Sequence, residues 1–149
     1  MKKLFIYYSL SGNGDYVANY LSKNGIDNRK VKTLKEMPKS FFLRILKGGF
    51  LAGINYKAKL KDFDNSIDEY DEIIIGSPIW NGKISCPINT VLDSLDLSGK
   101  ILSFILYSGS GKAPKTSNML NEKYNSVKII NLIEPKKNEE SMKKELEKI

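Results

Sequence analysis

Leu4-Phe5-Ile6-Tyr7-Tyr8-Ser9-Leu10-Ser11-Gly12-Asn13-Gly14 begins as an apolar and aromatic run and stops abruptly at hydroxyls and glycines. Apolar residues in unbroken succession, without alternation, are the pattern of a strand covered on both faces, as strands of a parallel sheet are. Val17, Ala18 and Leu21 then recur at i, i+1 and i+4 and predict a helix that stops near Asn24-Gly25. Strand, tight turn and helix form one unit, and the rest of the chain repeats the alternation.

Residues 72–76, with Ile73-Ile74-Ile75 at their centre, and residues 101–107 and 127–132 are further buried strands. Residues 29–34, with Val31 and Leu34, predict a weaker strand at a sheet edge. Ile84, Ile88, Val91, Leu92 and Leu95 fall at i, i+4, i+7, i+8 and i+11, a strongly amphipathic helix with Pro87 near its first turn. A shorter helix is expected around residues 117–124, and Met142, Leu146 and Ile149 mark a closing one. Strands alternating with helices give an α/β fold whose parallel sheet is covered on both faces. The length of 149 residues suits a single domain over residues 1–149, without repeat or linker.

One stretch resists the pattern. Phe41-Phe42-Leu43-Arg44-Ile45-Leu46-Lys47 has the pattern expected of a helix, whereas Gly48-Gly49-Phe50-Leu51-Ala52-Gly53-Ile54 is glycine-broken and still apolar. A helix on the sheet followed by a covering loop is the plain reading. The nearby Arg44, Lys47, Lys57, Lys59 and Lys61 leave open a membrane-surface or partner-docking role, or a lid over a ligand.

Composition removes several chemistries. The chain has no histidine, so histidine general bases, Ser-His-Asp and Cys-His triads and histidine-bearing metal sites are excluded. Its one cysteine, Cys86, cannot form an internal disulfide and reads as a small buried hydrophobe rather than a catalytic thiol. The net charge of +7 is carried almost wholly by lysine, since Arg29 and Arg44 are the only arginines. Residues 1–61 hold 13 basic and 3 acidic side chains, so the excess sits in that part of the chain. Lysines without a reading helix or interleaved aromatics do not recognise nucleic-acid sequence. Met1-Lys2-Lys3 and the short apolar run after it lack a cleavage site, and no apolar run reaches the roughly 18 residues that span a bilayer. A protein of the reducing cytoplasm is expected.

In open α/β sheets, ligands bind beyond the carboxyl ends of the strands, where strand order reverses. Three loops stand at such positions. Ser9-Leu10-Ser11-Gly12-Asn13-Gly14 opens directly into a helix, so its N–H groups and the helix N-terminus favour a phosphate. It lacks both the full dinucleotide fingerprint and the Gly-Lys-Ser/Thr of a triphosphate loop. Gly76-Ser77-Pro78-Ile79-Trp80-Asn81-Gly82 holds the only tryptophan, expected in a turn and partly exposed as a stacking surface. Ser108-Gly109-Ser110-Gly111 has small side chains that let backbone approach a planar ligand.

Ser-x-Ser-Gly-Asn after the first strand, Gly-Ser-Pro-Ile-Trp-x-Gly after the third and a glycine-serine loop after the fourth resemble the flavodoxin family, over essentially the whole chain. The resemblance, rather than the residues, supplies a flavodoxin-like three-layer sandwich with a five-stranded parallel sheet in the order 2-1-3-4-5, for which that family is the type example. It also implies FMN as cofactor. The phosphate loop would be Ser9, Leu10, Ser11, Gly12, Asn13 and Gly14. The loop flanking the isoalloxazine would be Ser77, Pro78, Ile79, Trp80, Asn81 and Gly82. The third loop would use Tyr107, Ser108, Gly109 and Ser110.

Three departures stand out. Gly14 replaces a frequent hydroxyl residue and is followed by Asp15, whose carboxylate repels a phosphate. The chain is basic where electron-carrying relatives are typically acidic. Lys112 follows the third loop, where it would favour an anionic reduced flavin if near and do nothing if solvated. The resemblance implies an FMN-binding electron-transfer protein with a redox partner protein, and the basic charge suits a partner with an acidic docking surface. The alternative is an NAD(P)H-dependent flavin oxidoreductase passing electrons to a quinone or similar acceptor. A phospho-receiver domain is excluded, because Tyr8-Ser9 and Gly76-Ser77 stand where its acidic residues would be.

Overall fold

The computed structural model describes residues 1–35, 58–125 and 127–149. The apolar runs become the strands β1 (Lys3–Tyr7), β3 (Glu72–Trp80), β5 (Ile101–Ser108) and β6 (Lys128–Ile133), joined at one edge by β2 (Asp27–Lys30). Their order is β2-β1-β3-β5-β6, all parallel, and a two-residue strand β4 (Lys83–Ile84) folds back antiparallel on the end of β3. With β4 set aside, this is the expected order 2-1-3-4-5. The order reverses between β1 and β3, so the carboxyl ends of β1, β3 and β5 lie side by side.

Helices cover both faces. α1 (Asn13–Lys23) and α4 (Glu139–Leu146) bury Val17, Ala18, Leu21, Met142 and Leu146 against Phe5, Ile74, Ile105 and Tyr107. α2 (Cys86–Ser94) and α3 (Pro114–Tyr124) bury Ile88, Val91, Leu92 and Leu120 against Leu4, Ile6, Ile73, Ile75 and Phe104. The side chains of β1, β3 and β5 alternate between these two cores, which is why their sequences read as continuous apolar runs.

Several boundaries differ from the sequence expectation. The edge strand is Asp27–Lys30 rather than residues 29–34, because its register is set by β1, from Leu4 opposite Asp27 to Tyr7 opposite Lys30. Val31 is buried just past its end, whereas Leu34 is exposed. Ile84 lies in β4, so α2 begins only at Cys86, with Pro87 as its second residue. α3 begins earlier than expected, at Pro114. Residues 41–54 with Arg44, Lys47 and Lys57 lie outside the described residues. Lys59 and Lys61 pair with residues 32–34: Leu34 N–H donates to the Lys59 carbonyl and Lys61 N–H to that of Lys32.

Candidate functional site

The three loops meet at one edge of the sheet. The Tyr8 N–H donates to the Gly76 carbonyl at 3.1 Å, and the Tyr8 and Trp80 rings pack edge to face with centroids 5.8 Å apart, tying the first loop to the second. The Tyr107 hydroxyl donates to the Tyr8 carbonyl, tying the first to the strand that carries the third. Thr116, in the first turn of α3, donates its hydroxyl to the Gly82 carbonyl.

In the first loop, Asn13 and Gly14 already belong to the opening turn of α1, and Gly12 caps it in the left-handed region with φ 91°. The N–H groups of Leu10, Ser11, Gly12, Asn13 and Gly14 meet no acceptor among the described residues. The next one, of Asp15, donates to Ser9 Oγ at 3.3 Å. Successive open N–H groups at a helix N-terminus form a cradle for an anion, with the partial positive charge of the helix behind it. The Asn13 side chain is held on both sides. Its Nδ2 donates to Ser11 Oγ at 3.3 Å, and its Oδ1 accepts the Lys136 N–H at 3.1 Å.

Gly14 owes its size to packing. A Cβ there would stand 2.5 Å from the Tyr107 hydroxyl oxygen and 2.9 Å from Ser9 Cβ, so a hydroxyl residue at this position has no room. Burial pushes the Tyr107 hydroxyl well above the ordinary tyrosine pKa, with Asp15 adding to the shift. Tyr107 is therefore a neutral donor beneath the loop. It is buried within β5 and its hydroxyl is taken by the Tyr8 carbonyl, unlike the loop residue the sequence suggested.

The second loop is shorter than expected. β3 continues through Trp80, and only Asn81 (φ 48°) and Gly82 (φ 71°) form the turn, an Asn-Gly hairpin with Ile79 opposite Ile84 and Trp80 opposite Lys83. Trp80 is consequently 5% exposed rather than a partly exposed plate. Ser77 is fully buried. Its hydroxyl donates to the Pro78 carbonyl at 2.9 Å, lies 3.1 Å from the Ser85 hydroxyl and accepts the Ser85 N–H at 3.1 Å. Pro78 and Ile79 are half-buried, and Asn81 and Gly82 are exposed. These four are the residues this loop offers to a ligand.

In the third loop, Ser108 ends β5 and accepts the Gly111 N–H at 2.9 Å, while Gly109 and Ser110 are exposed. Lys112 is exposed. Cys86 is buried at the start of α2, and burial pushes its thiol pKa up, outweighing the opposing effect of a backbone hydrogen bond. An inert packing thiol results.

Two residues near the cradle were not singled out from the sequence. Lys136 follows β6, and the rule that loops after parallel strands share one edge was enough to find it. Lys30 is found only through the pairing of β2 with β1.

The profile of the flavodoxin family matches residues 54–149. Comparison with curated protein sequences gives no match. Among solved structures, a candidate flavoprotein of Bacteroides uniformis aligns at 21% identity over 98% of this chain and 97% of its own, with a TM-score of 0.73. One of Bacteroides eggerthii aligns at 19% over 99% and 97%, with a TM-score of 0.71. A flavoprotein of Lactobacillus acidophilus in complex with FMN aligns at 23% over 93% and 97%, with a TM-score of 0.61. These structures share the fold. A profile that runs from ahead of β3 to the final residue, over a sheet whose strands take the expected order, makes the assignment: this chain belongs to the flavodoxin family.

Proposed function

We propose that the chain binds FMN and acts as an electron-transfer protein. The observation that carries the reading is the run of open N–H groups from Leu10 to Gly14 at the carboxyl end of β1. Those groups, the Ser9 and Ser11 hydroxyls and the N-terminus of α1 would hold the phosphate. Pro78, Ile79, Asn81, Gly82, Gly109 and Ser110 would flank the ring system, with Ser77, Trp80, Tyr107 and Ser108 as the frame behind them. The FMN held by the Lactobacillus protein of the same fold supports the choice of flavin.

Bound FMN supplies one- and two-electron chemistry; the polypeptide supplies orientation and electrostatics. No side-chain acid or base is needed, which suits a chain without histidine. The net charge of +7 favours a redox partner with an acidic docking surface. The basic segment 44–61 that motivates an NAD(P)H-dependent reductase contains no recognised nucleotide-binding motif, which favours electron transfer.

Purified protein should be yellow, or become so with FMN, and should bind FMN more tightly than riboflavin. A chain that stays colourless in excess FMN overturns the reading. Mixed anaerobically with NADPH and no separate reductase, the flavin should keep its colour for minutes. Rapid bleaching would make the chain a reductase instead.

A further inference from the structure

Asp15 places a carboxylate in the first turn of α1, at the rim of a cradle suited to an anion. Left bare, that charge would oppose a phosphate dianion at the site where the N–H groups attract it. The structure shows how it is compensated. Lys30 Nζ lies 2.6 Å from Asp15 Oδ1, and the Tyr7 hydroxyl donates to the same oxygen at 3.2 Å.

The arrangement follows from sheet register. β2 pairs with β1 so that Lys30 stands opposite Tyr7, and the Val31 N–H donates to the Tyr7 carbonyl at 2.7 Å. Neighbours across a parallel pair project to the same face, here the face covered by α1, where the Tyr7 ring is buried. Two side chains from adjacent strands therefore reach one oxygen of the helix. Burial, followed by the Asp15 charge, raises the Tyr7 hydroxyl above its usual range, so Tyr7 remains a neutral donor and the cation of the trio is Lys30 alone.

We propose that Lys30 is a positioning and specificity residue for the flavin phosphate: by pairing with Asp15 it holds that carboxylate out of the cradle and offsets its charge, so that the loop accepts a dianion. This rests on the FMN reading above and goes beyond it in naming what allows this loop to carry an acidic residue. Lys30 acts through Asp15 and has no role as a phosphate ligand.

The test uses the full chain stripped of flavin, titrated with FMN and with riboflavin at low ionic strength, following quenching of flavin fluorescence. The variants are Lys30→Gln, Asp15→Asn and the double variant. Both members of the pair are about two-fifths exposed, which limits the expected loss of FMN affinity in Lys30→Gln to about fivefold. Asp15→Asn should bind FMN at least as well as the parent, and the double variant should regain parental affinity. Riboflavin, which has no phosphate, should bind all four chains alike.

FMN bound equally by the parent and Lys30→Gln overturns the assignment. So does a double variant as weak as Lys30→Gln, which would make Lys30 a direct phosphate ligand. Parallel losses for FMN and riboflavin would reduce its role to structural support and also overturn it. A parent that takes up neither flavin overturns the flavin reading itself, and this assignment with it.

Discussion

The turn after β1 and the hairpin after β3 stand side by side, and both are short runs of serine, glycine and asparagine, yet they handle their polar groups in opposite ways. The hairpin closes on itself. The Ser77 hydroxyl is taken by Pro78 and Ser85, the Gly82 carbonyl by Thr116, and Trp80 packs inward against Tyr8. The turn after β1 leaves the N–H groups of Leu10 to Gly14 without acceptors among the described residues. An N–H group with no acceptor in the protein is available to donate to a ligand, and one already paired within the protein is not. On the proposed reading the turn after β1 is the part that binds and the hairpin is the frame that holds it, although the hairpin carries the tryptophan and so the more conspicuous sequence.

The largest expected effect tests the frame. Trp80→Ala removes a buried ring and should destabilise the fold by about 3–5 kcal/mol, read from the midpoint of urea unfolding of the flavin-free chain. A tryptophan serving only as a surface plate for the flavin would leave that midpoint unmoved and change flavin affinity alone. An unmoved midpoint would therefore break the contrast between the two turns.

Gly14→Ala comes next, on the binding side. The new methyl would meet the Tyr107 hydroxyl oxygen at 2.5 Å, Ser9 Cβ at 2.9 Å and Tyr7 Cδ2 at 3.0 Å, none of which can retreat without moving a strand or the loop. Overpacking of this kind should cost about 1–3 kcal/mol. It should also weaken FMN, because Ser9 and the opening turn of α1 shift together. Tyr107→Phe alone loses the buried hydrogen bond to the Tyr8 carbonyl, so the comparison is a double-mutant cycle: Gly14→Ala should cost less in the Tyr107→Phe background than in the parent, because the nearest atom is gone. An equal cost in both backgrounds would mean that the clash is with Ser9 and Tyr7 instead.

The local pattern showed much of this. β1, β3 and β5 were legible because strands buried on both faces cannot alternate, and the turn after β1 because hydroxyls and glycines sit between a strand and a helix. β6 was found by its apolar residues, but at the sheet edge it buries only Ile130 and Leu132 and exposes Ile133, which corrects the expectation of a fully buried strand there. What failed depended on distant partners. Leu34 and Val31 are similar in sequence, but only Val31 follows directly on the register that β1 imposes. The Asn81-Gly82 turn was legible in principle, as a two-residue signal between apolar runs. Taken as part of one long loop, it left Trp80 outside the strand. The burial of Trp80 then depends on Tyr8, the small size of Gly14 on Tyr107, and the tolerance of Asp15 on Lys30, each across the sheet. No periodicity within one segment encodes these pairs.

The smallest effect isolates the conformation of the open turn. Gly12 caps α1 at φ 91°, and a Cβ built there meets nothing within 4 Å, so Gly12→Ala tests backbone strain without overpacking. A left-handed alanine costs about 1 kcal/mol, and the urea midpoint should fall accordingly. If the turn is the binding device, relieving that strain would rotate the N–H groups on either side of position 12, and FMN affinity should drop by more than riboflavin affinity. Equal losses for both flavins would show that the turn contributes shape rather than anion binding, and would bring the two turns closer in kind than their hydrogen bonds indicate.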